Sequence, residues 1–253
     1  MSLATGLLLI FTAFATATLS GVFGIAGGLV LMGVLALVLP VSASFVTHGL
    51  LQTVANGWRA FLHRRHVDWK IVGLYALGSL TAGIIVTLVA YAPSKPVLYL
   101  LMGLVPGLVW IPRSILKLDA ARPVQAFACG LSVTALNLTA GVAGPLLDIF
   151  FVRTEMTRHR IVATKAATQV LSHMSKVVVY GGILFAGAGK SGIPRLWVFA
   201  FAIPLSMVGT VIGGRILDRL TDKNFIRMTR LIVTAVGVIY LIQAAQLFAR
   251  GAG

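Results

Sequence analysis

Apolar residues in this chain come in long, nearly unbroken runs, not in the single-face stripes of a soluble helix. The runs cover roughly residues 3–20, 29–39, 42–62, 70–92 and 96–112, then 123–139, 145–152, 161–187, 196–217 and 224–249. Runs of this kind read as membrane spans. A closed β-barrel would show short segments of alternating polarity, and the sequence has none. Inside a bilayer every backbone N–H and C=O must find a partner within its own segment, so the spans are helices. The pattern predicts an all-α polytopic membrane protein.

Five runs, a basic stretch and five more runs suggest an internal repeat. Gly24 and Gly141 lie 117 positions apart, as do Gly27 and Gly144, Ala26 and Ala143, Thr47 and Thr164, and Gln52 and Gln169. Past the loop around Gly187–Pro194 the offset grows, aligning Trp69 with Trp197. The expected division is a first repeat over 1–112, a cytoplasmic connector over 113–122 and a second repeat over 123–253.

Charge then orients the spans. Only 11% of residues are charged, against about 25% in an average soluble domain. The net charge of +15 sits mostly in short loops between apolar runs, which favours the positive-inside signal over nucleic-acid binding. Arg64, Arg65 and Lys70, then Arg113, Lys117 and Arg122, then Arg153, Arg158 and Arg160, then Arg215, Arg219, Lys223 and Arg227 mark four cytoplasmic loops. The loops at 40–44, 92–96 (Lys95) and 188–195 (Lys190, Arg195) carry less charge and are expected outside. Matched loops of the two halves thus fall on opposite faces, which is an inverted-topology repeat. The parity makes the first two runs of each half a glycine-tipped hairpin, short or re-entrant, followed by three transmembrane helices. Both termini are expected in the periplasm. The first 21 residues lack a Lys or Arg ahead of their apolar stretch and have a counterpart mid-chain, so they read as a span, not a signal peptide.

Three features carry chemistry. The hairpin tips, Gly24-Ile25-Ala26-Gly27-Gly28 and Gly141-Val142-Ala143-Gly144-Pro145, permit sharp turns and present helix N-termini near mid-membrane. Small residues there also serve close helix packing. The helix after each tip carries a polar stripe: His48, Gln52, Asn56 and Arg59, then Lys165, Gln169, His173 and Lys176. Both have spacing 4, 4, 3 and so lie on one face. Intramembrane polar groups normally face a wet path or one another. Thr47 and Thr164 flank the stripes, with bonding to their own helix as the alternative. Arg59 and Lys165 have snorkelling to the cytoplasmic edge as theirs. Asn137, just before the second tip, joins the set. Asp148 is the one acid inside an apolar run, either a coupling group or the counter-ion of Lys165. The single cysteine, Cys129, excludes an intrachain disulfide, and no metal cluster, phosphate loop or nucleophile elbow is present. No cofactor and no enzymatic activity are expected.

The order of glycine hairpin, small-residue stretch VSASFVTHGLLQ, Asn56, basic loop His63-Arg64-Arg65-His66 and Val67-Asp68-Trp69 resembles the TauE/SafE sulfite and organosulfonate exporter family. Ala26-Gly27-Gly28 stands where that family usually has three glycines, and Gly144-Pro145 where more glycine is common. The resemblance covers essentially the whole chain. It implies a carrier of the bacterial inner membrane that exports a sulfur oxyanion, with Gly24, Gly27, Gly28, Gly141 and Gly144 contributing backbone groups.

The expected function is therefore export of a small anion by alternating access, with the site between the two tips. Proton- or cation-coupled import on the same fold, and a membrane scaffold without transport, are the alternatives. The expected partners are the anion and the lipid bilayer, not nucleic acid; the sequence leaves a homo-oligomer open.

Overall fold

The computed structural model describes residues 1–89, 91–112, 118–151, 154–186 and 192–251. Arg113, Lys117, Arg153 and Lys190, and the start of the 187–194 loop, lie outside them. Among the described residues the chain forms ten α-helices and no strand: α1 Leu3–Phe23, α2 Ile25–Val38, α3 Val41–Leu62, α4 Trp69–Val89, α5 Lys95–Leu104, α6 Pro123–Ala140, α7 Gly144–Phe151, α8 Arg158–Ala186, α9 Leu196–Leu217 and α10 Asp222–Ala249. All ten follow the ten apolar runs. The fifth run differs in one respect. Pro106 has no N–H and its ring clashes one turn back, so the α-helix stops at Leu104 and continues as a 3-10 turn over Val105–Trp110.

The hairpin arms are short. The 14 residues of α2 and the 8 of α7 give about 21 and 12 Å, against a hydrocarbon core of about 30 Å. Four helices are long and apolar enough to cross a membrane: α1, α4, α9 and Arg227–Ala249 of α10. They expose apolar side chains outward, such as Leu80 and Leu88 on α4 and Phe201 and Val208 on α9. The long helices α3 and α8 carry the polar stripes and pack in the middle.

Equivalent helices of the two halves run antiparallel, as an inversion requires. Along α3 and α8, Phe45 stacks on Tyr180 at one end and Gly57 faces Val170 nearer the other. Along α5 and α10, Tyr99 meets Tyr240 and Trp110 donates to Thr234 Oγ1. The remaining pairs are exchanged between halves. α1 runs parallel to α9, with Gly6 against Trp197 and Gly21 against Gly213. α6 runs parallel to α4, with Gly130 against Tyr75 and Thr134 bonded to Ser79. Glycine brings these backbones into contact: a Cβ at Gly21 would sit 2.7 Å from the Gly213 Cα.

The loops gather at two ends. At one, Gly192 abuts Pro40 and Lys95 Nζ reaches the Leu37 carbonyl. At the other, Arg160 pairs with Asp68 at 2.7 Å, and the rings of His63 and His66 lie 6.4 and 5.5 Å from that of His159. This is the grouping that the loop charges predict.

Two outcomes follow from the packing and from the histidine end. A Cβ at position 130 would fall onto the Tyr75 carbonyl, whereas one at Gly73 meets nothing within 4 Å. Gly130→Val should therefore destabilise the purified protein by about 1–3 kcal/mol or more in thermal melts, while Gly73→Ala leaves the midpoint in place. At the other end, burial, and after it the charges of His159, His66 and Arg59, holds the His63 pKa below its ordinary 6.5. The folded protein then binds fewer protons than the unfolded chain just below pH 6.5. This contribution to stability is complete above that pH and is lost as the pH falls towards the folded value. Melting temperatures measured between about pH 7.5 and 5 should decline towards acid, and less steeply in His63→Gln. His63 is only half-buried, so the effect is small. Equal slopes would show that the ring titrates normally.

Candidate functional site

The site begins with two turns that need glycine. Gly24 closes α1 and opens α2 at φ 67°, and Gly141 ends α6 at φ 74°, both in the region that side chains disfavour. No side chain caps α2, so its first-turn N–H groups are left open. The second arm starts at Gly144, with Pro145 in its first turn where a missing N–H removes nothing. The tips touch: a Cβ at Gly144 would lie 2.6 Å from Ile25 Cγ2.

Between the tips lies a small cavity. About 30 Å³ is open to the centre of a water-sized sphere, room for roughly two waters. Gly24, Ile25 and Gly28 line it from the first hairpin, and Ala143 and Gly144 from the second. His48, Gln52 and Asn56 line it from α3, Gln169, Ser172 and His173 from α8, and Asn137 from α6. No carboxylate lines it among the described residues.

The polar groups are held in defined states. His48 Nε2 lies 2.9 Å from the Gly28 carbonyl, which places the proton on Nε2 and leaves Nδ1 to accept from Lys176 Nζ at 3.1 Å. Lys176 Nζ also donates to the Gly141 carbonyl at 2.7 Å and lies 5.2 Å from the centre of the Phe45 ring. Lys176 is 0% exposed, and no carboxylate pairs with it among the described residues. Asn137 Nδ2 donates to Ser172 Oγ at 2.7 Å and lies 3.4 Å from His173 Nδ1. His173 Nδ1 is then an acceptor, and its Nε2–H is a donor without a partner among the described residues. Asn56 Nδ2 donates to Gln52 Oε1, so the Gln52 amide N–H groups point elsewhere, with Nε2 facing the Gly28 backbone. Gln169 makes no hydrogen bond among the described residues. The arrangement offers an oxyanion several neutral donors and one buried lysine amino group behind them.

A larger vestibule of about 270 Å³ adjoins the cavity, sharing Gly24, Ile25 and Gln169 with it. Arg59, Lys165 and Asp148 line it, and Lys165 is ion-paired with Asp148. The ends of α1, α3 and α9 and the starts of α8 and α10 form its walls.

The stripes and tips read from the sequence thus meet in one place, with exceptions. Gly24, Gly28, His48, Gln52, Asn56, Asn137, Gly144, Gln169 and His173 line the cavity. Lys176 and Gly141 stand one bond behind it, and Lys165 and Asp148 stand in the vestibule. Three expected residues are corrected. Gly27 faces α1, where a Cβ would strike the Thr16 carbonyl, so it serves hairpin packing. Thr164 Oγ1 accepts from the Asp68 N–H at 2.9 Å, and Thr47 Oγ1 is buried without a partner. Neither threonine reaches the cavity or bonds its own helix. Ser172 was missed, although it lies three residues past Gln169 on the same face. Arg59, assigned to the stripe with the membrane edge as its alternative, is a wall of the vestibule.

A family model described as Sulfite exporter TauE/SafE matches residues 9–240, a stretch that contains both hairpins and both stripes. No curated protein and no solved structure matches the chain. The chain therefore belongs to the TauE/SafE sulfite exporter family, whose members are multi-pass membrane transporters and not enzymes.

Proposed function

We propose that this protein carries a small sulfur oxyanion, sulfite or an organosulfonate, out of the cytoplasm across the bacterial inner membrane by alternating access. The observation that carries this reading is Lys176, whose amino group is 0% exposed and has a carbonyl, an imidazole nitrogen and a ring face as partners. Protonated, this group would be a buried charge without a counter-ion, unfavourable by several kcal/mol. A monoanion in the adjoining cavity relieves that, while Gln52, Gln169 and His173 donate to its oxygens. A cation finds no carboxylate there.

The two repeats, 1–112 and 123–253 about the 113–122 connector, are the units that would exchange conformations in alternating access. The positive-inside rule sets the His63–Asp68 end towards the cytoplasm and both termini towards the periplasm. The vestibule then opens inward, and the structure corresponds to the inward-facing state. An inside-negative potential drives a monoanion outward by about 2.3 kcal/mol per 100 mV, so export needs no coupling ion. Coupled import would need a carboxylate free to titrate. Asp148, the one acid in either cavity, is engaged by Lys165.

Proteoliposomes loaded with sulfite should release it faster when a potassium diffusion potential makes their lumen negative. Gln52→Ala or Gln169→Ala should lower apparent affinity roughly tenfold or more, the loss of one hydrogen bond to a charged group. Efflux that ignores voltage and follows a proton gradient would replace the uncoupled reading with the proton-coupled one. Wild-type affinity in both glutamine variants would remove the cavity from the path.

A further inference from the structure

Arg59 and Lys176 occupy the same position of the two repeats, 117 residues apart, yet their surroundings differ. Lys176 is sealed. Its Nζ donates to the carbonyl of Gly141, the turn that ends α6 in its own half. A cation on the carbonyl end of a helix is favoured by the helix dipole and by the carbonyl's lack of an intrahelical partner. Arg59 is open. Its Nη1 lies 3.4 Å from Asn56 Oδ1, and its buried Nη2 has no acceptor among the described residues. It lines the vestibule together with Gly24, the turn that ends α1 and the counterpart of Gly141. The neighbours differ in the same sense: His48 is closed on Lys176 and Gly28, whereas its counterpart Lys165 is turned to Asp148.

An inverted repeat makes this difference informative. Exchanging the conformations of the halves turns one facing state into the other. We infer that the vestibule holds a second oxyanion site centred on the Arg59 guanidinium, formed while Arg59 is free, and that Arg59 and Lys176 are alternating latches of the two ends. In the structure the Lys176–Gly141 latch shuts the far end, and Arg59 receives the anion. In the opposite state Arg59 donates to the Gly24 carbonyl and shuts the vestibule, while Lys176 is released. Two donors on Arg59 suit both tasks: Nη1 keeps Asn56 at the cavity wall, and Nη2 meets either an anion oxygen or a carbonyl. The inference rests on the anion-transport reading for its ligand but not for its latches.

The test uses the full chain with its buried Cys129 replaced by Ala and a reporter Val162→Cys on the vestibule wall. In inside-out vesicles a membrane-impermeant maleimide reports how open the vestibule is. Arg59→Gln should speed labelling and Lys176→Gln should slow it, each roughly tenfold, because each removes one latch and shifts the two-state balance. Arg59→Lys should restore the starting rate. Lys176→Met removes the charge without adding a polar group, and it supplies the outer arm if Lys176→Gln does not fold. Methanesulfonate, an inert sulfonate, should slow labelling in the parent but not in Arg59→Gln. Shifts in the same direction, or none, would overturn the latches. Equal protection of parent and Arg59→Gln would overturn the Arg59 site. Protection of neither, with opposite shifts retained, would count against the anion reading and leave the latches standing.

Discussion

A helix cannot end in hydrocarbon with its terminal carbonyls and N–H groups bare, and this chain ends helices inside itself at Gly24 and Gly141. Much of the structure answers that constraint. Two carbonyls at the end of α6 are taken by α8: Tyr180 Oη donates to Leu138, and Lys176 Nζ to Gly141. The first hairpin is held in the same manner. His48 donates to Gly28 on α2, Tyr240 to Leu29 and Tyr99 to Gly33. Of these clamping side chains His48 also lines the cavity, and Lys176 stands one bond behind it.

Those clamps decide what may face lipid. A helix carrying His48, Gln52, Asn56 and Arg59 on one face is expensive to leave against hydrocarbon. The same holds for α8. Both are placed centrally, antiparallel, with the two stripes towards the tips. The apolar helices then wrap them, and each half's first helix packs on the other half's fourth. The glycine contacts at Gly21–Gly213 and at Gly130 bring those wrapping pairs to backbone distance. A close fit there holds the hairpins in place without filling the space between their tips.

Much of this was legible in the sequence because a bilayer makes the pattern strict. All ten runs became helices, and loop charge grouped the loops as the structure does. Gln52 and Gln169 could be picked out because identity at one offset coincided with a buried face. What the pattern lacked was rotation finer than one face and the identity of the neighbour. Thr47 and Thr164 lie one position off their stripes, about 100° around the helix, and so turn away from the cavity. Gly27 sits beside Gly28, but a one-residue step turns it from the cavity to α1. Arg59 reads equally as a stripe residue and as an edge residue because the length of a stripe does not reveal that a vestibule reaches up to it.

The repeat is symmetric at the middle of its stripes and asymmetric on either side of it. Mid-stripe, glutamine faces glutamine. Around it, His48 stands against Lys165, Asn56 against His173 and Arg59 against Lys176. An identical pair at the centre presents the same amide whichever end is open, so binding there need not change between states. Unlike latches make the two closed ends unequal in free energy. A guanidinium has five donors in a fixed fork, while an ammonium is a strongly hydrated point charge that loses more on desolvation. Lys176 is shut in with only a carbonyl, an imidazole and a ring for company, whereas Arg59 already holds Asn56. On the proposed reading, the resting preference of the carrier follows from these unlike pairs and its affinity from the central glutamines. A symmetric fold can in this way hold a site of constant chemistry between two gates of different strength.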